Sequence, residues 1–177
     1  MPYQSVDETI AQKTDRKKRL FGFLKLSNTK KRPLISIIAD KELSQAQVSV
    51  LRQFNEATSS LNADFLILSD SALDGLSNFH FIEFNLGNRE MVLEASDLII
   101  AYDFNDLEEV FMQGCVPICK EREGAQNYNA QEESGNSFII KNDSVYGLFE
   151  ATVRAIETFK FPWDFKHIVR TGMKIQK

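Results

Sequence analysis

Short, continuously apolar runs alternate along the chain with segments whose apolar residues recur every three to four positions. The runs are 34–39, 65–68, 81–84, 98–101, 116–119 and 137–140. Their length and composition predict strands. Between them, Ser44 opens a predicted helix with Gln47 at the capping-box position and Val48, Leu51, Phe54 and Ala57 on one face. Asn88 is placed to cap a short helix carrying Val92, Leu93 and Ala95. Positions 106–113 form another helix, closed by Gly114. The clearest helix starts at Asp143 or Ser144. Its stripe is Val145, Leu148, Phe149, Ala155, Ile156 and Phe159, with Thr152 as the one polar member. Pro162 ends it, and 163–173 predicts a final helix. A first helix over 5–26, with Ser5 and Glu8 as a capping-box pair, precedes all of this.

Strands that are apolar throughout, alternating with amphipathic helices, predict an α/β fold. It is a three-layer, Rossmann-like parallel sheet with helices on both faces. Ligands in such sheets sit beyond the carboxyl ends of the strands. The residues there are Asp40 and Lys41, Ser69 and Asp70, Tyr102 and Asp103, then Lys120 and Arg122.

Charge divides the chain in two. Residues 1–32 carry nine Lys/Arg against three acids, hence +6, while the whole chain is −4. We therefore divide the chain into a basic helical arm and linker, 1–32, and a body, 33–177. A basic arm on an acidic body suits nucleic acid or an anionic membrane. The arm has no aromatic interleaving, however, so a solvated helix leaning on the body is the preferred reading and no nucleic-acid partner is expected. No run is long enough to span a bilayer or resembles a secretion signal. Cys115 and Cys119 fall on one predicted strand, with Cα atoms roughly 13 Å apart. A disulfide needs less than about 7 Å. Both are read as buried hydrophobes in a reducing cytoplasm.

Several segments, in order, resemble the carboxyl-terminal, nucleotide-sugar-binding domain of the glycogen and starch synthases, which are two-domain GT-B glycosyltransferases. KKRLFGFLKL (17–26) is similar to the family's Lys-rich helix and turn, and RPLISIIADKELSQAQ (32–47) to its first strand and loop. NADFLILSD (62–70), MVLEASDLIIAY (91–102), EEVFMQGCVPI (108–118), SGNSFII (134–140) and FPWDFKHIVRTGM (161–173) match later pieces. The resemblance covers roughly residues 12–177. It implies a nucleotide-sugar or glucan ligand, no further cofactor, and a partner that is an acceptor-domain protein or a second copy.

The resemblance also marks losses. The family grips the donor's diphosphate with an Arg and a Lys after the first strand, because the leaving group gains negative charge. Here those positions read Asp40 and Gln45. Lys41 is the candidate substitute. The family's Glu-Pro-x-Gly-Leu loop is absent; Glu109 alone matches its second, ribose-binding Glu. Asp106-x-x-Glu109 also reads as an ordinary helix-start pair. Of the paired glycines that approach phosphate, one remains, Gly124. The candidate ligand-binding residues are thus Lys41, Asp103, Glu109, Lys120 and Gly124, with no catalytic residue and no metal ligand assigned. The acceptor-binding half is not in this sequence, and a lone half cannot position both substrates. The expectation is a catalytically degenerate domain that binds a nucleotide, sugar or protein. The active half of a split enzyme is the alternative. A phosphoacceptor switch using Asp40, Asp70, Asp103 and Lys120 is a further one. The final helix, with Trp163, Phe165 and Ile168, would need a cover, either another copy or the folded-back arm through Leu20, Phe21 and Phe23.

Overall fold

The computed structural model describes residues 6–26, 32–39, 41–101 and 106–174. Six parallel strands form one sheet: β1 (Leu34–Ile38), β2 (Asp64–Ser69), β3 (Phe79–Glu83), β4 (Leu98–Ala101), β5 (Val116–Cys119) and β6 (Phe138–Ile139). Their spatial order is β3-β2-β1-β4-β5-β6. The register sets Ile35 between Phe65 and Leu98, so β1 and β4 lie at the centre. The direction of winding reverses between these two strands.

Each central strand divides its side chains between two cores. Ile35, Ile37, Phe65, Ile67, Leu98 and Ile100 face one way. Leu34, Ile38, Leu66, Leu68, Ile99 and Ala101 face the other. Both faces are covered, which is why the strands are apolar at nearly every position. On the first face lie α2 (Gln45–Thr58), α5 (Val145–Phe159) and α6 (Pro162–Met173). The second carries α1 (Val6–Phe23), α3 (Leu86–Ala95) and α4 (Leu107–Met112). The sheet is thus the middle of three layers, and the α/β Rossmann-like architecture is present.

Local chemistry sets most boundaries. Ser44 caps α2 in a full capping box with Gln47. Asn85, rather than Asn88, caps α3; its side chain accepts the N–H of Asn88, whose own amide donates to the Glu83 carbonyl. Ser144 caps α5, and Thr152 satisfies its buried hydroxyl on the Leu148 carbonyl at 2.8 Å. Pro162 begins α6 instead of merely ending α5. Its missing N–H costs nothing in a first helical turn. The third strand starts at Phe79, two residues earlier than its apolar run suggests, because Phe79 packs on Phe54 and Phe65. Ser5, of the capping-box pair proposed for α1, lies outside the described residues.

The basic arm is where pattern and structure part. Helix α1 is not a solvated rod. Thr9, Lys13, Lys17, Leu20 and Phe21 are all buried on one stripe. Lys17 donates to Asp97 Oδ2 at 2.7 Å and to the Arg32 carbonyl at 2.6 Å. The same Asp97 oxygen accepts the Leu34 N–H at 2.8 Å. Lys13 donates to the Ser96 carbonyl at 2.5 Å and sits 3.2 Å from Cys115 Sγ. Leu20 and Phe21 cover the sheet beside α3, not α6, while Phe23 is exposed. Phe165 and Ile168 of α6 are instead buried in the opposite core, and Trp163 stays exposed, stacked on His167. Among the described residues no helix is long and apolar enough to cross a membrane.

Asp97 thus holds a buried ammonium and a buried amide at once. Asp97→Ala leaves both without their acceptor and is expected to cost about 3–5 kcal/mol in urea unfolding. Breaking the exposed Lys18–Asp15 pair by Asp15→Ala is expected to change stability by less than about 1 kcal/mol.

Candidate functional site

The winding reversal between β1 and β4 puts the expected ligand crevice beyond their carboxyl ends. Described residues after β1 and β2 share one cavity at that edge, and residues after β1, β5 and β6 share another. Asp40, after β1, and Tyr102 and Asp103, after β4, lie outside the described residues. The remaining candidates can be placed.

Lys41 is exposed in the β1–α2 loop. It lines a cavity of ≈ 640 Å³ with Gln45, Arg52, Ser69, Asp70 and Leu73, over the ends of β1 and β2. The cavity carries both signs of charge, and Arg52 turns its Nε to the Asp74 carbonyl at 2.9 Å. Lys120 lines a separate cavity of ≈ 280 Å³ between the starts of α2 and α5. There it pairs with Asp143 at 2.8 Å, both side chains being largely solvated. Neither cavity is lined by Glu109 or Gly124.

Glu109 stands on the first turn of α4, where its N–H is capped by Asp106 Oδ1 at 3.1 Å. Its carboxylate turns to α3. Arg89 donates from Nη1 to Oε1 at 2.7 Å and from Nη2 to Oε2 at 2.5 Å. Both oxygens are thereby engaged in a half-buried, fork-to-fork pair, the strongest geometry open to these groups. A ribose hydroxyl would have to compete with it.

Gly124 adopts φ +81°, with open space where a Cβ would stand. That positive φ by itself favours glycine, and no protein atom crowds the position. Its carbonyl accepts from Asn136 Nδ2 at 2.9 Å, and Asn136 Oδ1 accepts the Gln126 N–H at 2.8 Å and the Ser137 hydroxyl at 2.8 Å. Asn136 is almost fully buried. Tyr128 packs edge-on against Phe138, so the polar segment 121–136 is a folded loop with its own anchor. Sequence reasoning passed over Asn136. The signal for it was thin: one asparagine just before an apolar run.

Arg122, noted from its place after β5, reaches across the edge toward the carbonyl of Ala101, the last residue of β4, at 3.5 Å. Among the described residues, no group of three or more His, Cys, Asp or Glu is placed to hold a metal ion. Cys115 and Cys119 are both buried and unpaired. Burial pushes the Cys119 thiol up to about 11 and raises that of Cys115, against the pull of Lys13.

No protein-family model matches the chain, and no curated protein matches it in sequence. Solved structures do. The catalytic domain of starch synthase IV from Arabidopsis thaliana, bound to ADP and acarbose, superposes with a TM-score of 0.75 at 18% identity. The match covers 98% of this chain and 41% of that one. WaaG, a glycosyltransferase involved in lipopolysaccharide biosynthesis, gives 0.61 at 15% identity, over 99% of this chain and 50% of its own. The chain thus spans half or less of these structures. The chain shares the Rossmann-like fold of the parts of these structures that it matches.

Two outcomes test this geometry. Asn136→Ala removes three hydrogen bonds and is expected to cost about 1–3 kcal/mol, with trypsin cleavage after Arg122 becoming fast in limited proteolysis. At pH 8, well below the Cys119 value of about 11, both thiols remain protonated. Ellman's reagent is expected to titrate neither cysteine in the folded chain and both in guanidinium.

Proposed function

We propose that this chain is a glycosyltransferase-type domain that does not turn over donor by itself and works as a binding module for a nucleotide-sugar, a glucan or a protein partner. The reading rests on the Glu109–Arg89 pair. In the glycogen and starch synthases, the Glu at this position binds the donor's ribose; here both carboxylate oxygens are held by a guanidinium. The surrounding charges agree. The diphosphate-gripping positions read Asp40 and Gln45, and Lys120 carries its own carboxylate partner. A carboxylate in place of a cation removes attraction and adds repulsion toward a leaving diphosphate. Lys41 and Arg122 are the cations near the ends of β1 and β4, so weak nucleotide binding is compatible with the site.

A second reading has support of its own. Phe161 and Trp163 stand exposed where α5 meets α6. That exposed pair suits the active half of a split enzyme that docks on a separate acceptor-domain chain, where two substrates could be held together.

Incubation with ADP-glucose or UDP-glucose, followed by assay of released nucleoside diphosphate, separates the readings. The isolated chain is expected to release none above the protein-free rate, while calorimetry at millimolar donor reports whether binding survives. Release that is abolished by Lys41→Ala or Arg122→Ala would overturn the proposal. Release seen only after adding a co-purified partner would establish the second reading.

A further inference from the structure

A largely apolar cavity lies at the other end of the strands, away from the crevice at their carboxyl ends. It measures ≈ 770 Å³ and opens between α1 and α6. Its apolar wall is Ile10, Phe159, Pro162, Phe165 and Val169, and Phe159 and Phe165 meet edge to face at 4.9 Å. Lys13 and Lys17 line its inner end beside Asp97.

The charge count of this cavity does not close. Lys166 at the mouth is paired with Asp7, and Lys160 with Glu157. Inside, Lys17 takes Asp97, the one carboxylate among the lining residues. Lys13, 5% exposed, has a carbonyl and a thiol as its partners. That leaves one buried positive charge in excess. Buried ammonium groups are ordinarily matched by an anion. Each ammonium also has three N–H donors. Lys13 makes two hydrogen bonds, so one of its donors is left without an acceptor among the described residues, while Lys17 makes two and also lies 5.9 Å from the centres of the Phe21 and Phe159 rings.

We propose that this cavity binds an apolar monocarboxylate, its head on the ammonium groups of Lys13 and Lys17 and its body along the aromatic wall. One excess charge suits a monoanion. A nucleoside diphosphate carries more negative charge than the cavity offsets, and an apolar wall gives sugar hydroxyls few partners. The volume is that of a small-molecule site. Nothing in the proposal depends on donor binding at the opposite edge.

The probe is decanoate, titrated into the full chain by calorimetry with decyltrimethylammonium as the control of opposite charge. Decanoate is expected to saturate one site with Kd below about 100 µM, and the cation to bind at least about tenfold more weakly. Thr14→Trp alters an exposed residue of the cavity lining and fills the space without touching the buried contacts. Lys13→Met removes the excess charge. Each is expected to weaken decanoate at least about tenfold with an unchanged circular dichroism spectrum. No saturable heat up to about 1 mM decanoate, equal affinity for the cation, or unaltered binding in Thr14→Trp would each overturn the assignment. If Lys13→Met fails to fold, Thr14→Trp and the cation control decide alone.

Discussion

One oxygen of Asp97 joins three elements of the fold. It accepts Lys17 of α1 and the first amide of β1, and its own residue leads directly into β4. The carboxylate sits at the seam between the two central strands, where an unpaired charge would be least tolerable. Its pairing makes α1 part of the layer covering the sheet rather than an appendage. Lys13 and the Ser36–Ser96 hydroxyl contact at 2.6 Å extend the same polar seam. Such a seam contributes little net attraction after desolvation, but removing one member leaves the others stranded.

The two ends of the strands have diverged in character. The carboxyl end has the topology of a ligand crevice, yet two of its candidate groups are held by partners of opposite charge. Glu109 is held by Arg89 and Lys120 by Asp143. The amino end has no such role in the general logic of open α/β sheets, but it holds the apolar cavity and the unbalanced lysine. Fold similarity to glycosyltransferase structures therefore accounts for the frame shared by both ends.

Much of the frame was legible in the sequence, since fully covered parallel strands must be apolar on both faces and the helices between them carry clear stripes. Ser44, Asp106 and Ser144 announced their helices through short-range hydrogen bonds. What escaped was non-local. Arg89 and Glu109 are twenty residues apart and meet only because α3 and α4 share a face. The buried face of α1 was misread for a different reason. Thr9, Lys13 and Lys17 recur every fourth residue and run into Leu20 and Phe21. That is the spacing of a core stripe, but lysine ordinarily marks solvent. A long aliphatic stem can line a core when its ammonium finds acceptors. Gly124 needs its glycine for a positive φ in any case, which the sequence alone does not reveal.

The sheet's two borders differ in what they offer a neighbour. Along β6 the outward N–H of Ile139 is taken by Asn127 Oδ1 and its outward carbonyl by Arg154, each at 3.0 Å. Side chains thus occupy the positions an added strand would use. Along β3 the Phe79 N–H donates to the Leu76 carbonyl and the Glu83 carbonyl accepts from Asn88 Nδ2, so among the described residues the open backbone of that border is confined to its middle, around Phe81. Open-ended stacking of sheets needs a receptive border on both sides. With one side sealed, edge-to-edge association through this sheet can close as a symmetric pair but cannot propagate into a fibre.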